Sequence, residues 1–377
     1  MTNIPFNKPY LHGRELVYIA DAVRSGKISG DGIFTKKCHE YFELEFGFKK
    51  ALLTTSCTDA LEMAAILLNI KPGDEVILPS FTFVSTANAF VLRGAKLVFA
   101  DSCDDNPNIS PAAIESLVTP KTKAIVVVHY AGVACDMDTI VNIANQHRIP
   151  IVEDAAQAID SYYKDIPLGS IGTFGAFSFH ETKNIISGEG GMLAINDTQY
   201  TSRAEVIREK GTNRSSFFRG EVDKYGWVDI GSSFLPSELI AAYLYAQLEN
   251  LRVIQNRRKA IWEAYHTGLR SLADKGNFEL PNIPFGATNN AHMFYLVCKS
   301  VDERSSLIAY LKSKGVHAVF HYIALHTSQF FLTQTDGRAL PNCDRFSDCL
   351  VRLPMYYELL DDEVDKVIDV IHEFFTK

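Results

Sequence analysis

The sequence predicts an α/β protein, with a mostly parallel central sheet followed by a smaller C-terminal α+β domain. Two patterns carry that expectation. Short apolar runs alternate with helical periodicity through the first half of the chain, and strand–helix alternation builds a parallel sheet covered on both faces. Past residue 275 a smaller strand–helix set follows a long helical stretch. A length of 377 residues suits one large and one smaller domain, expected at 1–250 and 251–377.

In chain order, the apolar runs at 75–78, 96–99, 124–128 and 149–152 read as buried strands. Residues 61–68, 114–118 and 137–147 read as the helices between them. Two short strands follow at 175–179 and 191–196, and then a helical stretch over 236–275 that includes the link between domains. A strand over 291–299, a helix over 304–314 and an amphipathic helix over 361–375 complete the smaller domain. No internal repeat, low-complexity segment or long Gly/Ser linker interrupts this order.

The stretch 150–191 carries the chemistry. Ile151-Val152 ends in Glu153-Asp154, with Gln157 just beyond. Ligands of parallel sheets gather outside the carboxyl ends of the strands, which is where Asp154 falls. Twenty-nine residues later comes Lys183, within Ser178-Phe179-His180-Glu181-Thr182-Lys183 and ahead of Gly188-Glu189-Gly190-Gly191. A lysine amine can bond covalently to a cofactor aldehyde. An aspartate can hold a pyridine nitrogen protonated and so make its ring an electron sink. Each residue alone has a plainer use, Asp154 as a helix cap and Lys183 as a solvated loop charge, and spacing leaves both readings open.

Composition narrows the classes. Hydrophobic content of 47% and charged content of 22% fit a soluble globular enzyme. A net charge of -8 argues against nonspecific nucleic-acid binding, which needs basic surface, but leaves room for a local basic pocket. The first nine residues lack the apolar core of a signal peptide. No run approaches the ~20 apolar residues of a membrane span, so the cytoplasm is the expected location and no membrane partner is expected. Seven cysteines without a CxxC pair fit reduced thiols. His317 and His321 would share one face of a strand, yet no carboxylate or thiol stands close, and no metal site is expected.

Five strings stand in order along the chain: Ser25-Gly26-Lys27-Ile28-Ser29-Gly30, Thr55-Ser56-Cys57-Thr58-Asp59-Ala60-Leu61, Pro79-Ser80-Phe81-Thr82-Phe83-Val84-Ser85-Thr86, Val152-Glu153-Asp154-Ala155-Ala156-Gln157 and Ser178 to Lys183. Together they resemble the DegT/DnrJ/StrS family of sugar-nucleotide aminotransferases, which are fold-type I pyridoxal phosphate enzymes. The resemblance implies that fold, pyridoxal 5'-phosphate as cofactor, and Lys183 as the residue that bonds to it. It implies that Asp154 pairs with the pyridinium nitrogen and that Gln157 meets the phenolic oxygen. Phe83 would stack on the ring, and Thr58, Asp59 and Ser178 would hold the phosphate. A helix start binds anions through backbone amides, which suits acidic Asp59 only through its backbone; Thr58 or Asp59 would equally serve as a plain cap. Phe83 reads equally well as a core aromatic. Family members that dehydrate sugars usually carry histidine where Lys183 stands, and a non-catalytic regulator has no need of that lysine, so the resemblance favours transamination.

Three positions depart from the family pattern. Cys57 stands where glycine is common, and Leu235 where arginine is common. Ser233 stands where an asparagine from the partner subunit usually reaches the phosphate. The strings His129-Tyr130-Ala131-Gly132-Val133-Ala134-Cys135, Lys210-Gly211-Thr212-Asn213-Arg214 and Asp229-Ile230-Gly231-Ser232-Ser233 resemble a narrower group. Its members aminate dTDP-4-keto-6-deoxyglucose for bacterial surface polysaccharides. That likeness implies a dTDP-sugar acceptor, an L-glutamate donor, and a homodimer with its site at the subunit interface. Arg214, Arg219 and Lys224 read either as a pyrophosphate clamp or as a solvated charged loop over 211–227. His321 resembles a family residue near the sugar, with a structural histidine as the alternative. The glucose and galactose epimers of the product differ only in which face receives a proton. The short loop 184–188 leans to the glucose form and an O-antigen role, with the galactose form and enterobacterial common antigen as the alternative.

Overall fold

The computed structural model describes residues 3–334 and 336–376. Met1 and Thr2, from the stretch read for a leader, and Lys377, the end of the expected smaller domain, lie outside them. The apolar runs form the strands β1 (Lys50–Thr54), β2 (Glu75–Pro79), β3 (Lys96–Ala100), β4 (Thr122–Val128) and β5 (Ile151–Asp154). A small hairpin of β6 (Tyr162–Tyr163) and β7 (Ile166–Pro167) precedes β8 (Phe174–Ser178) and β9 (Gly191–Ile195). The central sheet has the order β1-β9-β8-β5-β4-β2-β3. Only β9 runs against the rest, antiparallel to both β1 and β8. Strands buried on both faces read as continuous Val/Ile/Leu runs, which is why β2, β4 and β5 were legible.

Helices cover the two faces. On one lie α1 (Glu15–Arg24), α2 (Ile33–Glu45), α5 (Pro111–Leu117), α6 (Met137–His147) and α9 (Glu238–Leu248); on the other lie α3 (Cys57–Leu67), α4 (Val84–Val91) and α7 (Thr201–Arg208). The helix expected over 61–68 starts earlier because the Ser56 side chain accepts the Asp59 amide and caps it. Segment 211–227, expected as loop, contains the short helix α8 (Arg214–Phe218). Glu238, the first residue of α9, is buried and accepts the amides of Gly32, Phe34 and Thr35, so a carboxylate from a distant helix caps α2.

The long α10 (Leu251–Asp274) leads to α11 (Val301–Ser313), α12 (Pro341–Cys349) and α13 (Asp361–Phe375), which pack around a three-stranded sheet. That sheet has the order β10-β12-β11, from β10 (Tyr295–Val297), β11 (Val319–Phe320) and β12 (Leu350–Arg352). The strand expected over 291–299 shrinks to three residues, and the carbonyls of Ala291 and His292 accept from the Arg258 side chain instead of a neighbouring strand. Along β12, Leu350 faces the core shared with the large sheet, whereas Val351 faces the separate core under α10, α11 and α13. No helix among the described residues is long and apolar enough to cross a membrane.

The end of β5 fixes the loop behind the sheet. Glu153 is fully buried and accepts four N–H bonds: from Ile171 and Gly172 at 2.7 and 2.5 Å, from Gly169 at 2.7 Å, and from His129 Nε2 at 2.9 Å. The His129 Nδ1 accepts the Cys135 amide, so Nε2 is the nitrogen that carries the hydrogen. A glutamine here would turn an NH2 group toward N–H donors. Glu153→Gln is therefore expected to cost about 2–4 kcal/mol of unfolding free energy. Urea titration checks this, and a variant as stable as the parent would contradict the account.

Candidate active site

A cavity of about 500 Å³ opens beyond the carboxyl ends of β4, β5 and β8. Its first wall is built by the starts of α3 and α4 with Asp154, Gln157 and Ser178; its second comes from the C-terminal part as His292, His321, Tyr322 and Arg352. Lys183 stands in the loop between β8 and β9 and lines the same cavity. Closeness at one turn depends on Gly191. A Cβ on it would lie 2.3 Å from Ser56 C and 2.4 Å from Cys57 N, so only glycine lets β9 abut the turn that opens α3.

Asp154 is the last residue of β5 and is buried. Its Oδ2 accepts the Thr86 hydroxyl at 2.6 Å and its Oδ1 the Ala156 amide at 3.1 Å. Thr86 in turn takes the Thr82 hydroxyl at 2.8 Å. Burial pushes the Asp154 pKa up, with the two hydrogen bonds and the Lys183 charge pulling back. Burial likewise holds the Lys183 amine below the ordinary lysine range, with Arg352 adding to the effect and Cys57, Asp154 and Glu189 opposing it.

The lysine loop is anchored through its neighbour. Asn184 Nδ2 donates to Gln255 Oε1 at 2.7 Å and to the Asn290 carbonyl at 2.9 Å, and Asn184 Oδ1 pairs with His292 Nδ1 at 2.8 Å. Gln157 is oriented without ambiguity. Its Oε1 takes the Ala131 amide at 2.6 Å, which leaves Nε2 as the donor to the Tyr322 hydroxyl at 3.2 Å. Phe83 is 55% exposed, an apolar ring open to the cavity, with the Tyr322 ring 6.0 Å away. Burial depresses the pKa of both His292 and His321, which makes them neutral imidazoles near pH 7.

At the start of α3, Thr58 lines the cavity and donates to Ser85 Oγ at 2.8 Å. Asp59 does not reach the cavity wall. Its carboxylate turns back onto the Thr55 hydroxyl and its amide is taken by Ser56, so it shapes the turn while Cys57 and Thr58 face the opening. The first amides of a helix have no partner within it, which makes this an anion cradle.

Other expected residues lie elsewhere in the chain. Arg219 is held by Glu205 and Glu221, the Arg214 guanidinium lies over the Phe218 ring, Lys224 is exposed, and none of the three lines the cavity. Ser233 is exposed on a backbone bridge to Glu209, also away from it. His321 does line it, with Nδ1 2.9 Å from the Tyr130 hydroxyl. Sequence reasoning missed Arg352, His292 and the anchoring role of Asn184. Among the described residues no group of three or more His, Cys, Asp and Glu could hold a metal ion.

A buried strand-end carboxylate, a lysine of depressed basicity, an open aromatic ring and a helix-start anion cradle around one cavity define a site for a flat, phosphate-bearing aldehyde cofactor. Comparison with known proteins agrees. Residues 9–372 match the model of the DegT/DnrJ/EryC1/StrS aminotransferase family. The spore coat polysaccharide biosynthesis protein SpsC of Bacillus subtilis (strain 168) is 33% identical over 98% of this chain and 96% of its own. The aminotransferase TlmJ of Streptoalloteichus hindustanus superposes with a TM-score of 0.92 at 28% identity, covering 100% of this chain and 99% of that one. The candidate sugar aminotransferase Spr1654 of Streptococcus pneumoniae, in its PMP form, gives 0.91 at 27% identity over 100% and 99%. This chain belongs to the DegT/DnrJ/EryC1/StrS aminotransferase family, and it is a pyridoxal phosphate-dependent enzyme of fold type I.

The raised Asp154 pKa has a stability consequence. A carboxyl whose pKa rises on folding favours the fold while protonated and loses that advantage as pH rises through the raised value. Asp154→Asn removes the cost of ionisation, and the Thr86 hydroxyl can reverse to keep its bond. Cofactor-free Asp154→Asn should melt at or above the parent above about pH 6, with the gap closing below about pH 4. Thermal scans across that range check it; a variant melting well below the parent at every pH would refute the burial argument.

Proposed function

We propose that this chain transfers an amino group from L-glutamate to carbon 4 of dTDP-4-keto-6-deoxy-D-glucose. The product is dTDP-4-amino-4,6-dideoxy-D-glucose, destined for O-antigen or related lipopolysaccharide. The observation that carries the transamination chemistry is Lys183 and Asp154 lining one cavity. A sugar acceptor is supported by the likeness to Spr1654 and to a polysaccharide biosynthesis protein. The dTDP-keto sugar is supported by the strings at 129–135, 210–214 and 229–233.

Pyridoxal phosphate, when bound, supplies a ring that draws electrons from the donor's α-carbon. The chain's residues divide the remaining work. Asp154 would be the carboxylate that keeps the ring nitrogen protonated. Lys183 would hold the cofactor through its Nζ. As a free amine that Nζ would take the proton from the donor α-carbon, and burial suits it to this by favouring the neutral amine. Gln157 Nε2 is the donor end that would meet the phenolic oxygen. Phe83 would lie against the ring, and Thr58, Ser178 and the amides of Cys57 and Thr58 would hold the phosphate, with Asp59 acting through the turn.

The enzyme we propose is a homodimer. Trp227 is 85% exposed and lies with exposed Phe218, Tyr225, Val228 and Ile230 on the segment that carries Arg214, Arg219 and Lys224. A face of this kind suits a second copy. Ser233 would then reach the phosphate from the partner subunit, and the three basic residues would serve a nucleotide pyrophosphate there.

Two measurements test the reading. Lys183→Ala should fold and still take up pyridoxal phosphate, yet lack the yellow absorbance of the lysine-linked cofactor and form no product. Retained colour and turnover would remove Lys183 from the role. Purified enzyme with cofactor, L-glutamate and dTDP-4-keto-6-deoxy-D-glucose should give an amino sugar whose proton NMR shows a large coupling between the protons on carbons 3 and 4, the equatorial amine of the glucose form. A small coupling would assign the galactose epimer instead, and no amino sugar would remove the substrate.

A further inference from the structure

One polar atom of His292 is left without a partner. The residue's other polar groups are all engaged. Its backbone N–H donates to Asn290 Oδ1 at 3.0 Å, its carbonyl accepts from Arg258 at 2.6 Å, and its Nδ1 lies 2.8 Å from Asn184 Oδ1. Asn184 fixes the direction of that last bond, because its Nδ2 already donates to Gln255 Oε1 and to the Asn290 carbonyl. Asn184 Oδ1 is therefore an acceptor, and Nδ1 carries the hydrogen. Burial keeps the ring neutral, with the charges of Lys183, Arg258 and Arg352 adding to the effect beside neutral His321. Nε2 is thus a bare lone pair. It makes no hydrogen bond among the described residues, on a side chain that is buried and lines the cavity.

A buried acceptor without a donor is costly and calls for an explanation. Three cations act on this ring. Arg258 aims its fork at the carbonyls of Ala291 and His292. After burial, the Lys183 charge lowers the His292 pKa most, ahead of Arg258 and Arg352. Lys183 also lines the same cavity, and the residue next to it holds Nδ1. The ring is therefore tied to the backbone of the lysine loop itself, and Nε2 and Nζ keep one frame of reference.

We propose that His292 is the positioning residue of Lys183: its Nε2 lone pair accepts an N–H of the lysine amine and so aims that amine's own lone pair at the donor α-carbon. This rests on the amino-transfer reading above. A free amine has two N–H groups and one lone pair, and holding one N–H removes most of its rotation. The proton that leaves the α-carbon forms a third N–H bond on Nζ, and its electron pair stays behind on the carbon. His292 itself gains no proton. The bond to Nε2 then has an ammonium donor, and a charged donor makes a hydrogen bond roughly twice as strong as a neutral one. Help that grows as charge develops lowers the barrier rather than only the energy of the bound state. A protonated imidazole would oppose the same charge, so a ring kept neutral suits the role.

The experiment separates the two nitrogens of the ring. His292→Asn keeps an N–H where Nδ1 stands, so the bond to Asn184 survives, and it removes Nε2. In cofactor-free protein, cyanate carbamoylates only the neutral amine of Lys183, and mass spectrometry of its peptide follows the rate against pH. Loss of the acceptor should lower the midpoint by about 1 in His292→Asn. The other groups that act on Lys183, namely Cys57, Arg352, Asp154 and Glu189, are untouched by the change. In the holoenzyme, the maximal rate at which L-glutamate removes the yellow absorbance should fall roughly 100-fold. Half-saturating L-glutamate should stay the same, and the isotope effect of α-deuterated L-glutamate should grow. His292→Gln, whose amide oxygen extends to the place of Nε2, should recover part of the midpoint and of the rate. A parental midpoint and maximal rate in His292→Asn would overturn the proposal, as would a loss seen only as weaker saturation by L-glutamate. Should His292→Asn not fold, nitrogen NMR of histidine-labelled wild type and Lys183→Ala decides: the His292 Nε2 resonance should move when Lys183 is removed, and an unmoved resonance overturns the pairing. If wild type ignores L-glutamate, the donor reading falls separately, and the carbamoylation midpoint still decides whether His292 holds Lys183.

Discussion

The site depends on two successive carboxylates at the end of β5. Side chains alternate across a strand, so Glu153 and Asp154 leave the sheet on opposite faces. Glu153 shares the face of Ile151 and the helices α5 and α6, and Asp154 shares the face of Val152 and the helices α3 and α4. The first is saturated with N–H donors and fixes the loop over 169–172. Among the described residues the second accepts two hydrogen bonds, from Thr86 and Ala156, and it lines the cavity. One residue of register decides which acid builds the scaffold and which is left for chemistry.

Electrostatics of the cavity follow from dehydration more than from the charge of the whole chain. The net charge is -8, yet this cavity holds two cations, and the Arg352 charge helps burial to lower the Lys183 pKa. Burial disfavours every charged form it covers, raising Asp154 and lowering Lys183, His292 and His321. The two histidines respond by being neutral, so they shape the wall without adding charge. The lysine and the aspartate are left in protonation states closer to neutral than either would hold in water, which is the condition for moving protons near pH 7.

Much of this was legible in the sequence, and the reasons differ by region. β2, β4 and β5 announced themselves as unbroken apolar runs because both faces are covered. α13 was legible to the residue because one of its faces is wet and the pattern alternates at helical period. β1 was hidden beside the polar turn it feeds, and β11, of two residues, is too short to carry a period. At the site, Lys183, Asp154, Gln157 and Phe83 lay in strings that resemble a family. Arg352 and His292 had no such string. Their part depends on contacts across the fold, like the bond from Asn184 to Asn290, 106 residues on, and no local spacing reports that. Asp59 was half legible: the turn was right, but the hydrogen bond from Thr55 that turns its carboxylate away is a matter of rotamer.

The two walls of the cavity come from separate stretches of chain. One is made by residues between 56 and 189, the other by four residues between 292 and 352 carried on or beside a small separate sheet. Among the described residues Gln157 bonds to Tyr322 across the cavity, and just behind it Tyr130 bonds to His321 and Asn184 to His292. A change in the second wall is therefore transmitted to the lysine loop, because His292 holds the residue next to Lys183.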